Sequence, residues 1–459
     1  MDINLFDCLS PIDYRYRSRT LAAILSENGF TRAKLEVEIA LISALVNRKI
    51  CPPEIAAEIS VACAQVTTDE VYDEEGHIGH DIRALVNCIR NKVSDAAKPY
   101  IHMTATSFDI SDTANALRYR RATEDVLIPS LIELERVLVD ITMRESETVQ
   151  IGRTHGQHAV PITFGFAMAG YVSRLGKSII KLKELSAEIT GKFSGAVGAY
   201  NASALFFKDP EAFEEEILDH LGLNPAEHST QIVPPESVIR LFSEITVVSG
   251  IMANLADDMR HLQRTEIGEV GEEFGKDQVG SSTMPQKRNP IGFENVKSMW
   301  KLVVGRIATL FMDQISEHQR DLTNSASARA NGEIIAYVHA MAQRLTKVMK
   351  KLRVDRANLE RNLAMQSGLV LAEPLYILLA SLGHPDAHEK VRTLTLQAQS
   401  ERKTLQDIAQ ADPELDPYLK QMTDHQRAII SDPSLYTGIA AAKAFAIAER
   451  WSKRLLNTY

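Results

Sequence analysis

Residues 238–262 read VIRLFSEITVVSGIMANLADDMRHL. Val238, Leu241, Phe242, Ile245, Val248, Met252, Leu255, Met259 and Leu262 keep an i, i+3, i+4, i+7 spacing over about seven turns. At 1.5 Å per residue this is a helix roughly 40 Å long. An apolar face of that length has to bury against others like it. The same period recurs from Phe293 through Val296, Trp300, Val303, Ile307, Leu310 and Phe311 to Ile315. It recurs again from Ile335 to Leu352, from Pro161 to Ile189 and from Thr123 to Ser146. Alternating β-branched runs bounded by turns are nearly absent. The expected fold is therefore all-α, built on an elongated helical bundle.

Outward from these helices the patterns shorten. Before about residue 112 turn residues such as CPPE and SPID interrupt them. After about residue 366 breaks fall at Gly383–Pro385, Asp412–Pro413 and Asp432–Pro433. We expect an N-terminal helical domain over 1–112, a long central bundle over 113–365 and a small C-terminal helical domain over 366–459. A chain of 459 residues is long enough for such a division.

Composition narrows the function classes. Net charge is 51 − 60 = −9, which argues against a nucleic-acid partner, since phosphate neutralisation needs a basic surface. Aromatics are 6%, and the apolar mass is aliphatic, as helix-on-helix packing uses. Cys8, Cys51, Cys63 and Cys88 form no CxxC pair, so they read as free thiols. The start, MDINLFDCLSPIDYRY, lacks an apolar signal region, and the charge-free stretch between Arg153 and Arg174 is too polar to span a membrane. A cytoplasmic protein without a membrane partner is expected.

Polar residues that interrupt the apolar segments gather in five places. They are GHIGHDIR (residues 76–83), IHMTATSFDISDT (101–113), GRTHGQHAVPITFG (152–165), GSSTMPQKRNP (280–290) and QRDLTNSASAR (319–329). RTHGQ reads as the entrance of the 161–189 helix. GSSTMPQKRNP, with Pro285 and Pro290, can be neither a good helix nor a good strand. Each site has a bland reading: a histidine at a helix end is commonly a cap, and Lys287 with Arg288 alone would be a solvated pair. The combination is what the bland readings leave over. No metal-ligand spacing, phosphate loop or nucleophile elbow is present. Fixed cations with Asn and Ser donors suit a substrate carrying several carboxylates or a phosphate. A serine in a glycine-flanked loop serves as a base when amides and a cation stabilise its anion. A histidine can hand a proton to a leaving nitrogen. Base, acid and carboxylate clamp together describe β-elimination from a succinyl group.

GSSTMPQKRNP resembles the signature loop of the fumarase/aspartase superfamily, whose pattern is GSSxMPxKxN. Within it the chain is similar to the adenylosuccinate lyase family: SPIDYRY, TSFDISDT, RTHGQ, the STQ at 229–231 and RDLTNSASAR fall in the expected order over nearly the whole length. The resemblance implies a three-domain all-α subunit in a homotetramer, with each active site assembled from three subunits. It implies a C–N lyase of purine synthesis that releases fumarate from adenylosuccinate, giving AMP, and from SAICAR, giving AICAR. It implies no metal and no organic cofactor.

Carried over by position, the resemblance makes Ser281 the base that takes the Cβ proton, with Ser282 beside it as the alternative. His155 becomes the acid that protonates the departing nitrogen, with Thr154 next to it. Lys287 and Asn289 would hold the succinyl carboxylates, Glu294 would support the site, and Met284 lies within the same loop. Thr106 and Ser107 match further succinyl-binding positions. His80 and Asp81 match a pair near the substrate, and His102 a residue near the phosphate. Arg15 and Tyr16 match the phosphate contact, and Gln231, Arg320, Ser325 and Arg329 the remaining contacts. Two positions depart from the family: Gln286 stands where His is frequent, and Thr104 where Gly is usual. They leave room for another succinyl compound, or for carboxymuconate cycloisomerisation, although that branch typically lacks the His of RTHGQ. A non-catalytic scaffold has no use for Ser281, His155, Lys287 and Asn289 together.

Overall fold

A computed structural model describes residues 8–273, 283–366 and 368–458. Helices dominate, and the long periodic patterns are long helices: Phe164–Ala187, Glu236–Leu262, Ile291–Met312 and Asn331–Met349. In Glu236–Leu262 the spacing read from the sequence is the buried face. Leu241, Phe242, Ile245, Val248 and Met259 are fully buried, and Met252 and Leu255 nearly so. Each such side chain contributes about 1.5–3 kcal/mol, so cutting Phe242 to Ala would cost about 3–5 kcal/mol. Proline starts two of these helices without the cost it has inside them: the carbonyls of Pro235 and Pro290 accept the first bonds, from Ile239 and Glu294. The helix Glu236–Leu262 is also long and apolar enough to cross a membrane, and over half of its most apolar window is buried inside the protein.

The chain packs as two compact units. One comprises Met1–Ile132, Lys177–Met252 and Val296–Gln343; the other comprises Glu133–Gly176, Ala253–Asn295 and Arg344–Tyr459. In the second, a separate apolar core gathers Leu371, Leu375, Leu379, Val391, Leu394, Leu405, Ile408 and Leu415 from the short C-terminal helices. Cys51, Cys63 and Cys88 are buried free thiols and Cys8 is half-buried; burial pushes the Cys63 pKa up to about 12.

One expectation is corrected. RTHGQ does not enter a helix, and the helix begins at Phe164 rather than Pro161. Residues Val149–Thr154 and Gln157–Thr163 form an antiparallel hairpin, with Thr154 paired to Gln157. Val149, Ile151, Val160 and Ile162 supply the β-branched character, and Pro161 suits an edge strand better than a helix interior. The helix then starts on a Thr163 cap, whose hydroxyl accepts the Phe166 N–H at 3.1 Å. Two shorter pairings, Thr190–Gly191 with Asn224–Pro225 and Val270–Gly271 with Arg353–Val354, tie loops to the helical frame.

Candidate active site

In the first unit the candidate residues converge on the start of the helix Ser107–Arg121. Thr106 precedes it, its N–H given to the Asp109 carboxylate at 2.8 Å, and Ser107 is its first residue. Asp109 is fully buried and pairs with the equally buried Lys192. Lys192 also donates to the Gly195 carbonyl, and its own backbone exchanges bonds with Thr113. One turn on, Asp112 accepts the Val233 N–H at 2.9 Å, and Gln231 gives its N–H to the Gln319 carbonyl at 3.3 Å. The Arg320 guanidinium lies 4.3 Å from the Phe108 ring centre. Thr106, Ser107, Gln231 and Arg320 are thus brought together. Burial raises the Asp112 pKa to about 6, with the Val233 N–H and the charges of Lys192 and Arg320 holding it from going higher.

The histidines of this unit sit close by. His102 adopts a left-handed φ of 61° and makes two bonds to the buried Glu38, through its N–H at 3.2 Å and its Nδ1 at 2.7 Å. Burial disfavours its charged form, yet the Glu38 charge and hydrogen bond, helped by Asp109, outweigh it, so His102 titrates above its ordinary value. His80 is a cap, as the bland reading has it: its Nδ1 accepts the Arg83 N–H at 3.2 Å and starts the helix Asp81–Arg90. Asp81 lies 3.6 Å from the buried Lys34, whose surroundings include the Arg329 charge. Tyr16 is half-buried and edge-on to Tyr337 with ring centres 6.0 Å apart, and Arg15 and Ser325 are exposed. Thr104, the departure from glycine, has a φ of 68°, a conformation that costs a β-branched residue strain.

The second unit presents the other candidates on two projections. The hairpin tip is a two-residue loop, His155 with φ 55° and Gly156 with φ 74°, the pattern of a type I′ turn. Thr154 and His155 are exposed at this tip. Its foot is rigid. Arg153 forms a bidentate pair with the fully buried Glu269, at 2.6 and 3.1 Å, and Gln150 and Asn362 each donate to the same carboxylate at 2.8 Å.

The second projection leads into the helix Ile291–Met312. Met284 and Lys287 close a turn, with the Lys287 N–H on the Met284 carbonyl at 3.0 Å and Pro285 at the position such turns favour. Met284, Gln286, Lys287, Asn289 and Glu294 line a cleft of about 780 Å³ with Arg264, Arg288 and Arg353. Cations outnumber carboxylates there, and two of its acids are engaged elsewhere: Asp355 caps Asn358 and Glu272 accepts backbone N–H groups. Such a cleft draws an anionic ligand. Thr154 and His155 do not line it. Ser281 and Ser282 lie outside the described residues. Among the described residues no group of three or more His, Cys, Asp or Glu could hold a metal ion.

Sequence reasoning missed Glu38, Lys192 and Glu269, the buried partners of the visible residues. A charged residue at an inward position of an apolar run, as in LEVEIALISAL, was the available signal.

Comparison with known proteins bears on the whole length. A family model described as lyase matches residues 14–305, and one described as adenylosuccinate lyase C-terminal matches 316–426. The chain is 36% identical over 419 residues to the adenylosuccinate lyase of Pyrococcus abyssi, covering 90% of this chain and 92% of the relative. It is 34% identical over 451 residues to that of Archaeoglobus fulgidus, covering 97% and 99%. Among solved structures it resembles a 3-carboxy-cis,cis-muconate lactonizing enzyme from Pseudomonas putida, with a TM-score of 0.84, 28% identity and coverage of 96% and 99%. A fumarate lyase from a Mesorhizobium species shares the fold, with a TM-score of 0.83 at 24% identity over 95% and 98% of the two chains.

Proposed function

Since the chain belongs to the adenylosuccinate lyase family of the fumarase/aspartase superfamily, we propose that it splits adenylosuccinate into AMP and fumarate, and SAICAR into AICAR and fumarate. The observation that supports this reading is the cation-rich cleft at the start of Ile291–Met312, lined by Lys287 and Asn289. Ser281, or Ser282 beside it, takes the Cβ proton. The electron pair left on Cβ is spread into the adjacent carboxylate, which Lys287 and Asn289 stabilise. The C–N bond then breaks, that pair becomes the double bond of fumarate, and His155 gives its proton to the departing nitrogen. Base and acid exchange one proton each, so no co-reactant is consumed.

In this reading His80 belongs to the catalytic set and pairs with Asp81 near the substrate, and His102, Arg15 and Tyr16 meet the phosphate. Thr106 and Ser107 bind the succinyl side, Gln231, Arg320, Ser325 and Arg329 make the remaining substrate contacts, and Glu294 supports the cleft. A cytoplasmic homotetramer with sites shared among three subunits belongs to the same proposal, as does the division at 1–112, 113–365 and 366–459. Exposed Leu302, Val304, Phe311 and Met312 on Ile291–Met312 support assembly through the long helices.

A second reading, cycloisomerisation of a carboxymuconate, is favoured by Gln286 and by the likeness to the Pseudomonas putida enzyme. His155 speaks for nitrogen elimination. Ultraviolet absorbance with adenylosuccinate, and separately with SAICAR, decides: both should be consumed with fumarate appearing. Silence from the folded protein on both, with turnover of carboxymuconate, would establish the second reading instead.

A further inference from the structure

Two ties join Glu272, beside the strand pair Val270–Gly271 with Arg353–Val354, to the cleft-lining residues that lead into Ile291–Met312. The Glu272 carboxylate accepts the N–H of Gly292 at 3.2 Å and of Phe293 at 3.0 Å, two donors that the first turn of Ile291–Met312 leaves without intrahelical partners. A carboxylate at this end also meets the positive pole of the helix. Gly292 is what lets it in: a Cβ there would lie 3.0 Å from Glu272 Oε1 and 2.5 Å from Val348 Cγ2. The second tie is Gln263. Its Oε1 accepts the Glu272 N–H at 3.1 Å, and its Nε2 donates to the Arg288 carbonyl at 3.2 Å. Gln263 itself directly follows the helix Glu236–Leu262, and Glu272 follows the strand pair Val270–Gly271 with Arg353–Val354. The ties therefore stand on rigid elements, which is what precise placement of a site requires.

We propose that Gln263 and Glu272 are positioning residues, a clamp that fixes Lys287 and Asn289 for the carboxylates of the substrate. The assignment of Lys287 and Asn289 rests on the proposed function; the clamp itself rests on the four hydrogen bonds. Neither side chain needs to touch substrate. Arg288, between Lys287 and Asn289, is held by its carbonyl, so loosening Gln263 displaces both neighbours together.

The test compares the full-length wild type with Glu272→Gln and Gln263→Ala. Glu272→Gln keeps the shape and removes the charge. Gln263→Ala removes both of its side-chain bonds and stands in should Glu272→Gln fail to fold. Hydrogen exchange without ligand should quicken about 10-fold or more over residues 283–293, while the amides of Glu236–Leu262 keep their protection. The inhibition constant of fumarate should rise about 10-fold while that of AMP stays put, since only the carboxylate side is loosened. Unchanged exchange over 283–293, or parallel weakening of fumarate and AMP, overturns the clamp. A wild type that releases no fumarate from adenylosuccinate overturns the proposed function instead, and the exchange measurement still decides the clamp.

Discussion

In the unit built from 1–132, 177–252 and 296–343, Asp109 and Lys192 are fully buried and paired, Glu38 is buried against His102, and Asp112 holds a loop through the Val233 N–H. In the other unit His155, Lys287 and Glu294 stand exposed, and their projections are anchored at the foot, by the fully buried Glu269 and the half-buried Glu272. The first arrangement places polar groups by burying them in pairs. The second places them by anchoring the backbone beneath them. Buried pairs tie function to folding, whereas anchored tips keep the two apart.

The comparison breaks if an exposed tip proves essential to folding. His155→Ala should lower turnover about 10²- to 10⁴-fold. Its thermal midpoint should stay within about a degree or two of wild type, because the imidazole tip is exposed. The mirror case is Lys192→Met, which leaves Asp109 buried without its ion. Urea unfolding should show about 3–5 kcal/mol lost. A loss below about 1 kcal/mol would mean that the pair is dispensable and the contrast false.

How far the sequence carried these conclusions differs by unit. The fold was legible because apolar spacing at Leu241, Phe242, Ile245 and Val248 maps directly onto buried faces. The hairpin was not, because a six-residue strand with Gly152 in it carries too few alternating positions to compete with the helical period that follows. In the site, unusual loops marked the exposed tips. The partners of the buried groups lie far off in sequence: Lys192 is 83 residues from Asp109 and Glu269 is 116 from Arg153. No local pattern announces such pairs.

Titration sharpens the comparison. The folded Asp112 pKa of about 6 exceeds its unfolded value of 3.8, so its contribution favours folding fully below pH 3.8 and is lost as pH rises through 6. Asp112→Asn should therefore gain on wild type by about 2–3 kcal/mol between pH 4 and pH 8, read from urea midpoints at each pH. A pH-independent difference would place Asp112 among the solvated carboxylates. The smallest expected effect belongs to Thr104→Gly. Relief of its φ of 68° should raise stability by about 1 kcal/mol, seen as a higher denaturation midpoint. A loss instead would show that the threonine side chain repays its strain.

The type I′ turn at His155 and Gly156 has a consequence for the gene. With Thr154 paired directly to Gln157, no spare residue separates the strands. One codon added or lost between them would shift every later residue of the second strand to the opposite face, moving Ile162 and its neighbours out of register with Gln150 and Ile151. The spacing RTHGQ is therefore a heritable requirement in its own right, and length variants should be purged there even when every residue type is kept.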